Sequence, residues 1–247
     1  MMLGCPGSGP FKQPKPEDLK CSRCNAEIEI WSDEAKAKCP SCGNIVLRKF
    51  SGNTCLDWCK EARFCVGDKV YKNYIQGKAA SLKQGIVEEM ERYFGDDTKR
   101  IRHARNVMGF AEMILKEHKA DWHIVIPASL LHDIGIKRAQ EKYGSTSGHY
   151  QEIEGPAIAE AILNKLGVKK SDIDEICQII AHHHSPGIVN TENFKVLYDA
   201  DWLVNLKDEY DIKDRQKLIR IIDRVFLTET GKRLANDTYV NLKRSNL

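Results

Sequence analysis

The sequence predicts a mainly α-helical protein with a small cysteine-rich module, built on short β-strands, ahead of its helical domain. Three observations predict this. Eight of the nine cysteines lie within the first 65 residues, several at metal-ligand spacings. Beyond them, apolar residues recur at three- and four-residue steps, the spacing of a helix with one buried stripe. Gly95, Gly135, Gly167, Pro186 and Gly231 then cut the pattern into helix-length pieces. The markers divide the chain into a metal-binding module at 1–66, a polar connector at 67–79 and a helical domain at 80–247.

The module is read from its cysteines. Cys21-x2-Cys24 and Cys39-x2-Cys42 are separated by 14 residues, close to the spacing of a four-cysteine zinc ribbon. Each turn aims two thiolates at one tetrahedral ion, and so small a module gains from that ion the stability its core lacks. Glu27-Ile-Glu-Ile-Trp31 alternates like a strand, and Asn44-Ile-Val-Leu-Arg48 is the expected pairing partner. Cys5, Cys55, Cys59 and Cys65 remain. Cys55 and Cys59 share one helix face, and the Pro-rich segment from Pro6 to Pro16 can bring Cys5 back toward them. Two readings stay open for these four: a second site holding zinc or an iron–sulfur cluster, or ordinary thiols. Cys177 reads as core.

Helices are expected at about 80–94, 99–118, 122–134, 156–166, 172–184, 193–206 and 213–228. Pro156 suits a first helical position, and Ser171 with Asp174 resembles a capping pair. Gly144-Ser-Thr-Ser-Gly-His149 reads as a loop.

Chemistry concentrates on the inward faces. The apolar run Leu130-Leu131 closes on His132-Asp133, followed by Ile134-Gly135. An imidazole beside a carboxylate offers a divalent metal one nitrogen and one oxygen. Two ionisable groups at a buried helix end need a partner, and a metal is a good one. His103 starts an apolar stripe through Val107, Ala111 and Ile114, while Ile176 and Ile180 lead to His183 and His184. Asp201 follows Phe194 and Leu197 on the inward side of its helix.

The order His103, His132-Asp133, Asp201 resembles the signature of the HD superfamily of metal-dependent phosphohydrolases. Leu131-His-Asp-Ile-Gly135 and Ala200-Asp-Trp-Leu-Val-Asn205 match its motif segments, and the resemblance runs from about residue 80 to about 210. It implies an all-helical HD-type domain with one divalent metal held by His103, His132, Asp133 and Asp201. His132 and Asp133 then form the catalytic pair, with Asp133 as a base toward water. Mixed nitrogen and oxygen ligands accept manganese, iron, cobalt, nickel or zinc. Some members bind two metals through further histidines. Here Gln151 stands where one would be expected, with His149, Glu152 and Glu154 as substitutes, so a single metal is favoured. His183 and His184 are then phosphate-binding groups or partners of the ligands, and Lys137 and Arg105, with Arg102 and Arg138, are candidate phosphate clamps. The chain lacks the acidic pair that the alarmone-hydrolysing branch carries after its His-Asp, which argues against that substrate class.

The expected activity is hydrolysis of a phosphate-bearing small molecule of the nucleotide class. The alternative is a non-catalytic nucleotide sensor or adaptor whose zinc module contacts protein or nucleic acid. Iron-dependent oxygenase chemistry, a third class, would want two metals. A net charge of +3 gives no electrostatic case for nucleic acid or anionic membrane. No apolar run approaches the ~20 residues of a membrane span, and the first residues lack a signal-peptide pattern, so the cytoplasm is the expected location.

Overall fold

Each Cys-x2-Cys turn closes a hairpin of its own, and this organises the first of two units. In this computed structural model, which describes residues 9–48, 54–210 and 214–241, the chain separates into Met1–Gly85 and Ile86–Leu247. In the first unit, β1 (Pro16–Lys20) pairs antiparallel with β2 (Glu27–Trp31), Pro16 opposite Trp31 and Lys20 opposite Glu27. Strand β3 (Lys36–Lys38) pairs antiparallel with β4 (Ile45–Leu47). The expected pairing of 44–48 with 27–31 is therefore corrected: each strand pairs with the one just across its own cysteine turn. Arg48 ties the hairpins, donating to the carbonyls of Glu34 (3.0 Å) and Trp31 (2.7 Å) and pairing with Glu17 (2.5 Å). Cys21, Ile28, Cys39 and Val46 form the small core between them.

Three short helices complete that unit: α1 (Gly9–Lys12), α2 (Cys55–Trp58) and α3 (Ala62–Val66). Thr54 and Asp57 form a capping box that starts α2. Helix α4 (Asp68–Phe94) follows at once, so the segment expected as a connector is helical. Its Tyr74 is buried with Phe11, Leu56 and Ala62. The Tyr74 hydroxyl and the Lys78 ammonium both donate to the Asp57 carboxylate, at 3.0 and 2.5 Å.

The second unit is helical. It contains α5 (Thr98–Ile114), α6 (Trp122–Leu131), α7 (Ile136–Tyr143), α8 (Gly148–Lys165), α9 (Lys170–Ile180), α10 (Glu192–Glu209), α11 (Arg215–Val225) and α12 (Glu229–Ala235), then a π-helical segment at Asn236–Asn241. Asp97, Asp121, Thr191, Asp214 and Thr228 each accept a backbone N–H as the N-cap of the helix that follows. Helix α6 is the centre, buried from Ile124 to Leu131 and packed by α5, α9 and α10. Helix α8 packs on α7 and α9.

Three expectations are corrected here. Residues 136–143 form a helix of their own. Helix α8 begins at Gly148, so Pro156 lies inside it and the loop ends at Ser147. Lys169, not Ser171, is the N-cap of α9, without a side-chain bond, and the Ser171 hydroxyl donates to Asp172 instead.

Two close approaches hold the helix ends that matter below. At Gly135 a Cβ would lie 2.4 Å from the Gln151 carbonyl oxygen and 2.6 Å from the Gly155 nitrogen, so glycine lets the chain after α6 touch the α8 backbone. On α10, the buried Asp199 carboxylate accepts the N–H groups of Leu227 and Thr228, both at 2.8 Å, and the Thr228 hydroxyl at 2.7 Å. Burial pushes its carboxyl up to about 6, opposed by those donors.

Candidate metal centres

Four helices deliver one side chain or pair each to a single place in the second unit. His103 comes from the first half of α5, and Asp201 from the middle of α10. His132 caps the C-terminus of α6, with Asp133 next to it. His183 follows the end of α9. His103 Nε2 lies 3.1 Å from His132 Nε2, 3.1 Å from Asp201 Oδ1 and 3.6 Å from Asp133 Oδ2. His132 Nε2 is 3.5 Å from each of the same two carboxylate oxygens.

Local backbone chemistry aims the rings. His132 Nδ1 bonds the Ser129 carbonyl at 2.9 Å, and His183 Nδ1 bonds the Ile180 carbonyl at 2.7 Å. A carbonyl only accepts, so in both rings Nδ1 carries a hydrogen and Nε2 is the nitrogen left to face a metal. The device is the same each time: a histidine just past a helix end bonds a carbonyl three residues back. Asn205 donates to Asp201 Oδ1 at 2.8 Å, fixing that carboxylate.

The charges ask for a cation. Burial pushes the Asp133 carboxyl up, but the His132 charge and the nearby His183 imidazole outweigh it and hold the group below the usual carboxylate range. Asp201 is held down in the same way by His103 and His132 against its burial. Burial lowers the His132 pKa, yet Asp133 and Asp201 overcome this and raise it to about 9. The ion-pair partners of both carboxylates are imidazoles. Two half-buried carboxylates facing the Nε2 atoms of His103 and His132 are a donor set of the kind that takes a divalent metal in place of a proton.

A second grouping overlaps the first. Asp133, His183 and His184 also bring ligand atoms within 4.8 Å of one another. His183 Nε2 is buried with no hydrogen-bond partner and stands 3.6 Å from Asp133 Oδ1. The His184 ring packs on His183, centroids 3.9 Å apart. None of the candidates on α8 joins this group. Gln151 is buried with its amide donating to the Thr146 carbonyl, and His149 is exposed against Tyr150. Glu154 is taken up by Arg138, Lys142 and Tyr143. Glu152 accepts from the loop that carries His184.

The expected phosphate clamps have other partners. Arg105 pairs with Glu91 at 2.5 Å. Lys137 donates to the Tyr93 carbonyl at 3.0 Å and lies over that ring. Their contacts lend the clamping expectation no support.

The cysteine centre is built differently. Cys21 and Cys42 sulfurs lie 3.6 Å apart, as do those of Cys24 and Cys39, and all four fall within 4.8 Å of one another. The two turns repeat one geometry. Cys21 N–H bonds the Ala26 carbonyl and Cys39 N–H the Asn44 carbonyl, while Asn25 and Gly43 return to the carbonyls of Cys21 and Cys39. Asn25 and Gly43 both take positive φ, 59° and 72°, which suits asparagine and glycine. N–H groups of Cys24 and Arg23 bring the Cys21 thiol down to about 6, against its burial. Cys24 moves the other way, to about 12: the Ala26 N–H opposes the rise, but the Cys42 sulfur, burial and the other sulfurs outweigh it. Sulfurs this close do not all ionise unless a cation joins them.

Among the described residues, Cys55, Cys59 and Cys65 form no ligand-distance group, and Cys55 and Cys59 pack against the Phe11–Leu56–Tyr74 core. Cys5 lies outside the described residues.

The HD domain family model matches residues 100–226, just over half of the chain. The protein therefore belongs to the HD family, whose members are generally metal-dependent hydrolases. Among solved structures it is similar to a predicted HD superfamily hydrolase from an uncultured Thermotogales bacterium. The two are 27% identical, over 66% of this chain and 87% of that one, with a TM-score of 0.49. No curated protein matches the chain. Among the described residues, no helix is long and apolar enough to cross a membrane.

Proposed function

We propose that this protein is a metal-dependent phosphohydrolase acting on a phosphate-bearing small molecule, with nucleotides as the first class to test. One observation carries the reading: His103, His132, Asp133 and Asp201 converge from three helices with ring nitrogens and carboxylate oxygens 3.1–3.6 Å apart. A divalent metal in this set would lower the pKa of a bound water and neutralise charge on a phosphoryl oxygen. Asp133, kept ionised, is the group that takes the proton from the attacking water. His183 and His184 stand beside Asp133, where a phosphate P–O–H donates to His183 Nε2 and the His184 ring N–H donates to a phosphate oxygen. In the 1–66 module, Cys21, Cys24, Cys39 and Cys42 hold a structural zinc ion.

A second reading of the metal content has its own support. The Asp133–His183–His184 grouping and the partnerless His183 nitrogen favour two metals sharing Asp133. Metal analysis of the purified protein decides between one and two ions beyond the cysteine-bound zinc. Turnover of nucleotides and p-nitrophenyl phosphate, lost in Asp133→Ala, tests the hydrolase reading. A fully metal-loaded protein that binds nucleotides without turnover would establish the sensor alternative instead.

A further inference from the structure

One stripe of α8 grips the loop that carries His183 and His184. Gly148, Glu152 and Gly155 recur at four- and three-residue steps and so share a helix face. A Cβ at Gly155 would lie 2.8 Å from the Ile180 methyl at the end of α9. A Cβ at Gly148 would lie 2.6 Å from His184 Cδ2 and 2.8 Å from its Cγ. The two glycines let the loop approach, and Glu152 between them bonds it. Its Oε1 accepts the His184 backbone N–H at 3.0 Å, and its Oε2 accepts the Ser185 hydroxyl at 3.1 Å.

We propose that Glu152 is a positioning residue for the His183–His184 pair. The His184 N–H lies past the end of α9, and the Ile180 carbonyl four residues back accepts from His183 Nδ1. An ionised carboxylate gives charge-assisted bonds to both the N–H and the hydroxyl, which fixes the loop at two adjacent residues. The loop in turn fixes two rings: His184 sits against Gly148 on one side and packs on His183 on the other, with His183 Nε2 held toward Asp133. A misplacement of about 1 Å in such a group can cost roughly a hundredfold in rate. Glu152 thus acts through the histidines and does not touch substrate. Its effect on phosphate rests on the phosphohydrolase reading, whereas its effect on the rings does not.

The test uses the full chain with Glu152→Ala, Glu152→Gln and Ser185→Ala. Glutamine keeps both contacts, since its carbonyl accepts the His184 N–H and its amide donates to the Ser185 oxygen. Long-range 1H–15N spectra of the histidine rings are recorded on protein stripped of metal. Glu152→Ala should move or broaden the His183 and His184 signals while His103 stays in place. Glu152→Gln should leave all of them, and Ser185→Ala should shift the same two less. In metal-loaded protein, Glu152→Ala should weaken inorganic phosphate binding about tenfold at unchanged metal content, with Glu152→Gln within about twofold of wild type. Ring signals that do not move in Glu152→Ala, or a glutamine variant as impaired as alanine, would overturn the assignment. Should the alanine variant not fold, the same two signals unmoved in Ser185→Ala would overturn it. Wild-type protein that takes up no metal and no phosphate sinks the hydrolase reading alone, because the ring spectra still report on Glu152.

Discussion

The two centres reach the same end, several ligand atoms within a few ångström, by opposite routes. The four cysteines lie between residues 21 and 42, and two nearly identical turns place them. The ligands of the other centre lie between residues 103 and 201, and no two come from one turn except His132 and Asp133. One site is specified locally, the other by the packing of α5, α6, α9 and α10. The consequence is a difference in what breaks them. With the proposed ions bound, the cysteine site would depend on its ion, and the histidine–aspartate site on distant contacts that hold helix ends.

Removal of the cysteine-bound ion should have the largest effect. Structural zinc contributes on the order of 10 kcal/mol to the folding of small modules, and the core of Cys21, Ile28, Cys39 and Val46 is itself half made of ligands. Cys39→Ser, or a strong chelator, should unfold the hairpins. The helical circular dichroism should largely survive, and in Cys39→Ser so should the second-unit metal. Hairpin amide signals that keep their dispersion without the ion would break the contrast.

Loss of a histidine–aspartate ligand should act on chemistry and leave the fold. Partners of metal ligands are worth about 10–100-fold in affinity or activity, so removing a ligand itself should cost at least about a hundredfold. His132→Ala and Asp133→Ala should each show this in hydrolysis assays, with far-UV spectra close to wild type. Full activity in either variant would remove the residue from the site.

The same contrast governs what the sequence could show. The Cys-x2-Cys pairs were legible because ligand, turn and positive-φ residue lie next to one another. Their strand pairing was not, because Pro-Glu-Asp-Leu-Lys at 16–20 has no alternating face and is mostly exposed. Helices α5, α9 and α10 announced themselves by apolar stripes and α6 by a continuous apolar run, and with them the inward His103, His132, Asp133 and Asp201. Helix α7 is short and mostly charged or polar, and its stripe of Ile136, Ala139 and Tyr143 is too brief to stand out. The first half of α8 was hidden by Pro156, which removes a helical donor and reads as a start, although tertiary packing on Gly135 and Ile180 holds the helix through it. From sequence, Glu152 is a substitute for the missing histidine ligand. Its bonds to the His184 loop depend on the docking of α8 against α9, which no local pattern records.

Gly135→Ala should separate the two centres at intermediate cost. The added methyl meets backbone atoms of Gln151 and Gly155 at 2.4 and 2.6 Å, and backbone cannot turn aside as a side chain can. Overpacking of this kind costs about 1–3 kcal/mol, and the shift falls two residues after Asp133. Thermal unfolding should move down, and metal affinity at the histidine–aspartate site should fall with it. The cysteine-bound ion should be retained, and its loss in this variant would argue against separate specification.

The smallest effect is a coupling, and it tests whether α10 is held in place from behind. Asp199 is two residues before Asp201 and ties α10 to the start of α12 through Leu227 and Thr228. Gly231 lies against it: an added Cβ would sit 2.3 Å from Asp199 Oδ2. Asp199→Ala strands two N–H groups and a hydroxyl and should cost about 2–4 kcal/mol. Gly231→Ala alone should cost about 1–2 kcal/mol, because the carboxylate must leave its three donors to make room. With Asp199 already removed, the Gly231 methyl has nothing to displace, so the double variant should be less destabilised than the sum by about 1 kcal/mol. Denaturant unfolding of the four proteins measures this directly. Strict additivity would mean that the carboxylate moves aside freely, and the tie from α12 would then not be what sets the position of Asp201.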